Sequence, residues 1–395
     1  MPSLHRPSDG TMRVAINLLT DDPANPSGTH WFWTFMIPEM AKLLTDGEEF
    51  HLLVSPKSRP MHEGYGPGVH YITFPWSNES PPRRTLSEHI YSPIRLPRAK
   101  IDLFSTLIAP IVKPAPSLVV HVKSMHAFAA PESLRLSARL YRRLSLPRTA
   151  KVADAIIINS ESVRSEVQQY LDVDPAKLHL IPEAVDHELF RPGDRDEATQ
   201  HVAARYGITK PFVLFVSSLW RYKNCAGLLR AFAAAKPKLG DLQLAVVGAP
   251  RDTVHAAELH ALADKQRIAE DVVWVGGVPL EETVYFYRSA DVFVYPSFNE
   301  TWGLPILEAM ACACPVVTSS ISAMPETAGN AALLVDPEDP ESIADAIVMA
   351  CGREQKRLRA AGPKRAGDFT WAATAEHTLA VYREVYSRRL PEIGR

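Results

Sequence analysis

Two glutamates eight residues apart, Glu300 and Glu308, are the side chains in this sequence best placed to do chemistry, and they lie in DVFVYPSFNETWGLPILEAMACACP, residues 291–315. The apolar run 291–295 predicts a strand, and Ser297 to Gly303 a loop. Pro305 predicts the first turn of a helix, where proline is tolerated because the N–H groups there have no partner within the helix. The N–H groups of Thr301, Trp302, Gly303 and Leu304 then stand free at the positive end of the helix dipole, which suits a phosphate. Gly303 lets the backbone approach it closely. Glu300 in the loop and Glu308 one turn inside the helix bracket that position, and a carboxylate accepts well from two neighbouring hydroxyls such as those of a sugar or a ribose. Taken singly, Glu308 reads equally as a solvated helix residue and Glu300 as a loop cap. Their common setting favours a site for a nucleotide-sugar.

A second cluster, LWRYKN at residues 219–224, carries Arg221 and Lys223 at a predicted helix start. Cations there oppose the helix dipole, so solvation alone is a poor account of them. Beside a diphosphate they would stabilise the charge that grows as the bond to the sugar breaks, and they would stand in for a metal. Asp-x-Asp sequences occur at Asp172 to Asp174 and Asp194 to Asp196, in a helix-to-strand loop and a presumed linker. Neither is expected near the donor turn, so no metal and no cofactor beyond the donor itself is expected.

These residues need a scaffold that aims loops at one place. Short apolar runs predict strands at 12–19, 50–54, 69–74, 101–105, 117–122, 155–159 and 178–182, alternating with helical or irregular stretches. A second series follows at 212–217, 242–247, 272–275, 291–295, 315–318 and 332–335, with helices between. The pattern predicts an α/β fold of two Rossmann-like, doubly wound domains facing across a cleft, with ligands beyond the carboxyl ends of the strands. The polar segment 190–211 carries Pro192 and Gly193 and sets the boundary. The expected domains are 1–190 and 191–368, with a last helix in 369–395 crossing back to the first.

At 395 residues the chain exceeds what one hydrophobic core supports. A formal net charge of -2 gives no general attraction to nucleic acid. Cys225, Cys312, Cys314 and Cys351 lack metal-finger spacing and read as small buried residues; with no signal-like start, a reducing cytoplasm is the expected location. No apolar run is long enough to span a membrane, so any membrane contact is peripheral.

The segment from Ala290 to Val317, ADVFVYPSFNETWGLPILEAMACACPVV, resembles the Glu-x7-Glu element of the family-4 retaining glycosyltransferases of the GT-B fold. Further matches are LHLIPEAVDHELF at 178–190, the segment 213–231 with its WRYKN, SAMPETAGNAALLVDP at 322–337 and the segment 369–382. The resemblance implies that Glu300 holds sugar hydroxyls, Glu308 the ribose, and the amides around Trp302 to Leu304 the phosphates. It matches Lys223 to the family's lysine and Arg221 to the second cation. Retention of anomeric configuration is implied by this resemblance alone.

In the first half, the loop Pro26 to Thr29 resembles the glycine loop over the donor phosphates, with Gly28 where a glycine pair is common. After the strand at 117–122, where relatives carry His-Asp, stand Lys123 and Ser124, with His126 three residues later. His126 is the expected active-site imidazole, with His121 the competing reading. The stretch 134–151 holds Arg135, Arg139, Arg142, Arg143, Arg148 and Lys151; it reads as a solvated face or as a contact for an anionic acceptor or membrane. The expected reaction moves a hexose, mannose among the candidates, from a UDP- or GDP-sugar to a sugar, glycan or lipid-linked acceptor. The rivals are a nucleotide-sugar epimerase, which needs no acceptor, and a non-catalytic nucleotide-sugar or glycan binder.

Overall fold

The computed structural model describes residues 10–21, 28–76, 81–107, 110, 113–129, 134, 136–250 and 252–389. The chain forms two compact units, 1–183 with 371–395, and 184–370. The boundaries thus fall at 183/184 and 370/371, where the sequence reading has 190/191 and 368/369. The reason is packing: Val185, Phe190 and Phe369 belong to the apolar core of the second unit.

The first unit is built on seven parallel strands: β1 (Met12–Asn17), β2 (Glu48–Val54), β3 (Val69–Thr73), β4 (Leu103–Thr106), β5 (Ser117–Val122), β6 (Ala155–Ile158) and β7 (Leu178–Leu180). Their order is β3-β2-β1-β4-β5-β6-β7. The strands β4, β5 and β6 are buried along their whole length, as a sheet covered on both faces requires. The last helix, Trp371–Ser387, belongs to this unit. Trp371 stacks on Phe35 of the helix Gly28–Lys42 with ring centroids 5.8 Å apart. The guanidinium of Arg383 grips Glu48 at 2.7 and 2.8 Å. Gly28, expected in a loop, opens a helix instead, and Pro26 and Ser27 lie outside the described residues.

The second unit has six parallel strands: β8 (Phe212–Val216), β9 (Gln243–Val247), β10 (Val272–Gly276), β11 (Val292–Tyr295), β12 (Val316–Ser319) and β13 (Leu333–Val335), in the order β10-β9-β8-β11-β12-β13. The chain winds outward from β8 to β10, then returns to pair β11 with β8 on its free side, Val292 opposite Val213. That reversal is the point where the loops leaving two neighbouring strands part and leave a crevice. Here they are the loop after β8, which carries Lys223, and the loop after β11, which carries Glu300. Close approach of the strand ends needs glycine at 248: at φ +150, a Cβ there would lie 1.8 Å from the Ser217 carbonyl oxygen.

Both Asp-x-Asp segments have capping work. Asp174 accepts from the N–H of Ala176 at 3.0 Å, and Asp194 from those of Asp196 and Glu197 at 2.8 and 3.1 Å at the start of the helix Arg195–Tyr206. Among the described residues no helix is long and apolar enough to cross a membrane.

Candidate active site

The crevice between β8 and β11 brings Lys223 and Glu300 together. The Lys223 ammonium donates to Glu300 Oε1 and to the Tyr295 hydroxyl, each at 2.6 Å. The two charged side chains are 13% and 11% exposed, so the pair is largely removed from water. Lys223 closes a 3-10 turn, Arg221–Lys223, and Asn224 follows in the left-handed conformation at φ 58. Asn224 then caps the helix Cys225–Leu239 by accepting from the N–H of Gly227 at 3.0 Å. Its amide donates to the carbonyls of Pro296 and Pro337 at 3.0 and 2.7 Å, which ties the loops after β8, β11 and β13 to one another.

The loop after β11 is pinned to Ser322. The Glu300 N–H donates to Ser322 Oγ at 3.1 Å, and its carbonyl accepts from the Ser322 hydroxyl at 2.6 Å. Trp302 is buried, packed edge-on against Phe369 with centroids 5.0 Å apart, and its carbonyl accepts from the Thr327 hydroxyl. Gly303 at φ +91 is the N-cap of the helix Leu304–Ala311, a conformation that glycine adopts without strain. Among the described residues, none of the N–H groups of Thr301, Trp302, Gly303 and Leu304 finds a protein acceptor. Four such donors lie together at a helix start, where the helix dipole is positive.

Glu308 lies one turn further in, where the Tyr287 hydroxyl donates to its Oε2 at 2.8 Å. Burial pushes its carboxyl up to about 7, and the Tyr287 hydrogen bond holds it from going higher. It is therefore not the solvated helix residue that the sequence left open. The same burial, reinforced by the charge of Glu308, drives the Tyr287 phenol well above its ordinary range.

Arg221 does not join this cluster. Its guanidinium pairs with Glu258 at 2.7 to 3.0 Å on the exposed side of the turn. A 3-10 turn advances about 120° per residue, so residues two apart point in different directions and Lys223 alone faces Glu300. Tyr295, Asn224, Ser322 and Tyr287 were not singled out from the sequence. Asn224 had a signal, since asparagine ahead of a helix is a common cap. Tyr295 reads simply as the end of an apolar strand.

In the first unit, Lys123 donates to Glu183 at 2.9 Å and sits 3.5 Å from the centre of the Phe32 ring, and Asn159 shares the same carboxylate oxygen at 2.9 Å. His121 is buried in β5, with Nε2 3.2 Å from Ser105 Oγ and 3.3 Å from the Tyr382 hydroxyl. Burial and then the charge of Lys123 drive its pKa well down, so it is a neutral core residue. His126 begins a short helix, His126–Ala129, partly exposed, with its N–H donated to Ser124 Oγ at 3.3 Å. Beyond β5 lies a pocket of about 220 Å³ whose lining includes Lys123, Ser124, Tyr141 and Arg142.

Two family profiles match the chain: Glycosyltransferase Family 4 over residues 39–189 and Glycosyl transferases group 1 over residues 198–365. The D-inositol 3-phosphate glycosyltransferase of Corynebacterium urealyticum is 30% identical over 288 residues, which are 69% of this chain and 67% of that protein. The chain belongs to the family-4, group 1 glycosyltransferases. The enzyme of the same name from Corynebacterium jeikeium is 33% identical over 258 residues, and the match spans 62% of this glycosyltransferase and 60% of that relative's length. Among solved structures, Anabaena HepE in complex with UDP and glucose superposes with a TM-score of 0.73 at 17% identity, covering 94% of this chain and 100% of that one. Sucrose-phosphate synthase from Thermosynechococcus elongatus gives 0.74 at 20% identity, covering 95% and 100%. These likenesses, with the two parallel sheets, establish the GT-B fold.

The Glu308 carboxyl offers a direct check on the site's electrostatics. Replacing Tyr287 by phenylalanine removes the one hydrogen bond that favours the carboxylate, so the pKa, about 7 in the native protein, is expected to rise further. Carboxyl carbon shifts followed by NMR across pH 5 to 9, with Glu308→Gln to assign the signal, would measure it. A value unchanged or lowered in Tyr287→Phe would contradict the account.

Proposed function

We propose that this glycosyltransferase moves a hexose, with retention, from a UDP- or GDP-sugar to a sugar, glycan or lipid-linked acceptor, without a metal at the diphosphate. The observation that carries the proposal is the desolvated Lys223–Glu300 pair beside four N–H groups without protein acceptors. A diphosphate on those N–H groups draws Lys223 toward it, which frees Glu300 to accept from sugar hydroxyls. Glu308 is proposed for the ribose hydroxyls, which would favour its ionised form. Arg221 would contribute only by leaving Glu258. Family membership supports retention, and the complex of HepE with UDP and glucose supports a nucleotide-sugar donor.

In the reaction, the bond between the anomeric carbon and the β-phosphate oxygen breaks while the acceptor oxygen bonds to the same face of that carbon. The acceptor proton passes to the departing phosphate oxygen. Lys223 and the helix start neutralise the charge that gathers there, so no protein nucleophile is needed. His126 is proposed to touch the transferred sugar, and Gly28 to lie by the donor phosphates.

An anionic acceptor is supported by the pocket beyond β5, which Lys123, paired with Glu183, and Arg142 line and where burial and then the charge of Arg84 lower the pKa of Arg142. The relatives named for D-inositol 3-phosphate support the same reading. Seating on an anionic bilayer is supported by the helix Leu136–Val152, which has five basic and no acidic residues. Leu136, Leu140 and Leu144 on it are 67%, 52% and 57% exposed. Beside it, joined through the contact of His89 with Tyr141, Leu86, Ile90 and Ile94 repeat the same four-residue stripe.

Lys223→Ala is expected to cost on the order of a hundredfold in kcat, about 2.7 kcal/mol, with a smaller change in KM for the donor, because a cation beside the leaving group acts most in the transition state. Nucleotide release measured with and without acceptor decides both points. Release without acceptor would favour a rival reaction, and a raised KM with kcat unchanged would make Lys223 an anchor only. Turnover is expected to be the same with or without added magnesium or manganese; a requirement for either would reopen the metal question at the diphosphate. Vesicles containing phosphatidylglycerol should co-sediment the protein, and Leu140→Glu with Leu144→Glu should abolish this. Equal sedimentation of the double variant would remove the helix as the contact.

A further inference from the structure

We infer that Asp21, His30 and His62 form a site for one late divalent transition metal of the zinc class, in the first unit. Three separate parts of the chain meet there. Asp21 ends the turn after β1, His30 lies in the first turn of the helix Gly28–Lys42, and His62 closes the 3-10 turn Arg59–His62. All three are buried, at 0%, 5% and 0% exposure. Asp21 Oδ2 is 2.7 Å from His62 Nε2 and 3.3 Å from His30 Nδ1, and one ligand atom from each residue falls within 4.8 Å of the others.

Two observations point beyond a hydrogen-bonded cluster. The other carboxylate oxygen, Oδ1, is buried with no partner among the described residues, a state that costs free energy unless a ligand relieves it. The far nitrogens are both engaged by hydroxyls: His30 Nε2 lies 3.3 Å from Thr34 Oγ1, and His62 Nδ1 lies 3.3 Å from the Tyr65 hydroxyl. Each hydroxyl can accept the ring proton on the far nitrogen, which would leave the near lone pair for a metal.

Two imidazoles and one carboxylate suit zinc and its neighbours, with a fourth position left for water. Tetrahedral ligands at bond lengths of about 2.0 to 2.1 Å lie roughly 3.4 Å apart, against 2.7 and 3.3 Å from Asp21 Oδ2 to the two rings and no more than 4.8 Å between the rings here. Loading the site needs no net proton change when both rings are neutral. Each ring proton facing Asp21 moves to the far nitrogen, where Thr34 or Tyr65 accepts it. Magnesium, which prefers an octahedral shell of oxygens, would not compete. The inference does not rest on the transferase reading, and its test does not use activity.

Full-length protein stripped of metal and desalted should be titrated with cobalt(II), following visible d–d absorption, then with zinc. Saturation at one equivalent is expected, with bands of tetrahedral intensity that zinc bleaches. Zinc at a hundredfold over its dissociation constant should raise the melting temperature by roughly 5 °C or more, and magnesium should not. Asp21→Asn and His62→Gln should each weaken cobalt binding at least a hundredfold and lose the bands. Absence of saturable one-to-one binding in the native protein would overturn the proposal, and so would bands that persist in both variants. Should either variant fail to fold, His30→Gln replaces it, and the titration of the native protein stands by itself.

Discussion

The second unit depends on one ion pair, between a lysine and a glutamate 77 residues apart in sequence and 2.6 Å apart in space. Both ions are mostly withdrawn from water, and removing one partner of such a pair typically costs about 3 to 5 kcal/mol because the other is left uncompensated. That cost makes the geometry of the crevice hard to relax. It is sustained by the strand order, which places β8 beside β11, and by Asn224, whose amide ties three loops together. A ligand that offers a phosphate to Lys223 and hydroxyls to Glu300 exchanges one desolvated interaction for two, which is how a paired site can also be a binding site.

The turn before the helix Leu304–Ala311 follows the same logic with neutral groups. Four N–H donors without protein acceptors would be costly if they faced an apolar interior, and they are tolerable when they face solvent or an anion. Gly303 makes the arrangement possible by taking a φ of +91, and the buried Trp302 fixes the loop from behind. Glu308 completes it with a carboxyl whose burial brings its pKa to about 7, so its charge responds to whatever approaches.

Where the family resemblance leads to an expected His-Asp, this chain has Lys123 and Ser124, and the structure gives Lys123 a physical occupation there. It neutralises Glu183 and lies over the Phe32 ring. The neighbouring His121, a plausible imidazole by sequence position, is enclosed by Phe32, Trp33, Ser105 and Tyr382. Sequence position could not separate His121 from His126 because what covers β5 comes in part from a helix distant in the chain. The helix Trp371–Ser387, which supplies Tyr382, is encoded some 260 residues after His121.

What the sequence determined by itself was the alternation of buried strands and helices, the glycine and proline that start the helix at 304, and the spacing of Glu300 and Glu308. All of these rest on local rules: apolar runs, fixed φ at proline and free φ at glycine. The strand series read from the chain corresponds to the observed one within a few residues at each end, since burial on both faces leaves an unbroken apolar run. What only tertiary structure decided was which charges meet. Arg221 and Lys223 look equivalent in sequence, yet a turn of three residues sends one to Glu258 and the other to Glu300. Glu308 reads as a surface residue until Tyr287, 21 residues away on another helix, closes over it. Electrostatics falls off with distance in space and is screened by water, and a sequence specifies neither until the sheet order has brought its loops together.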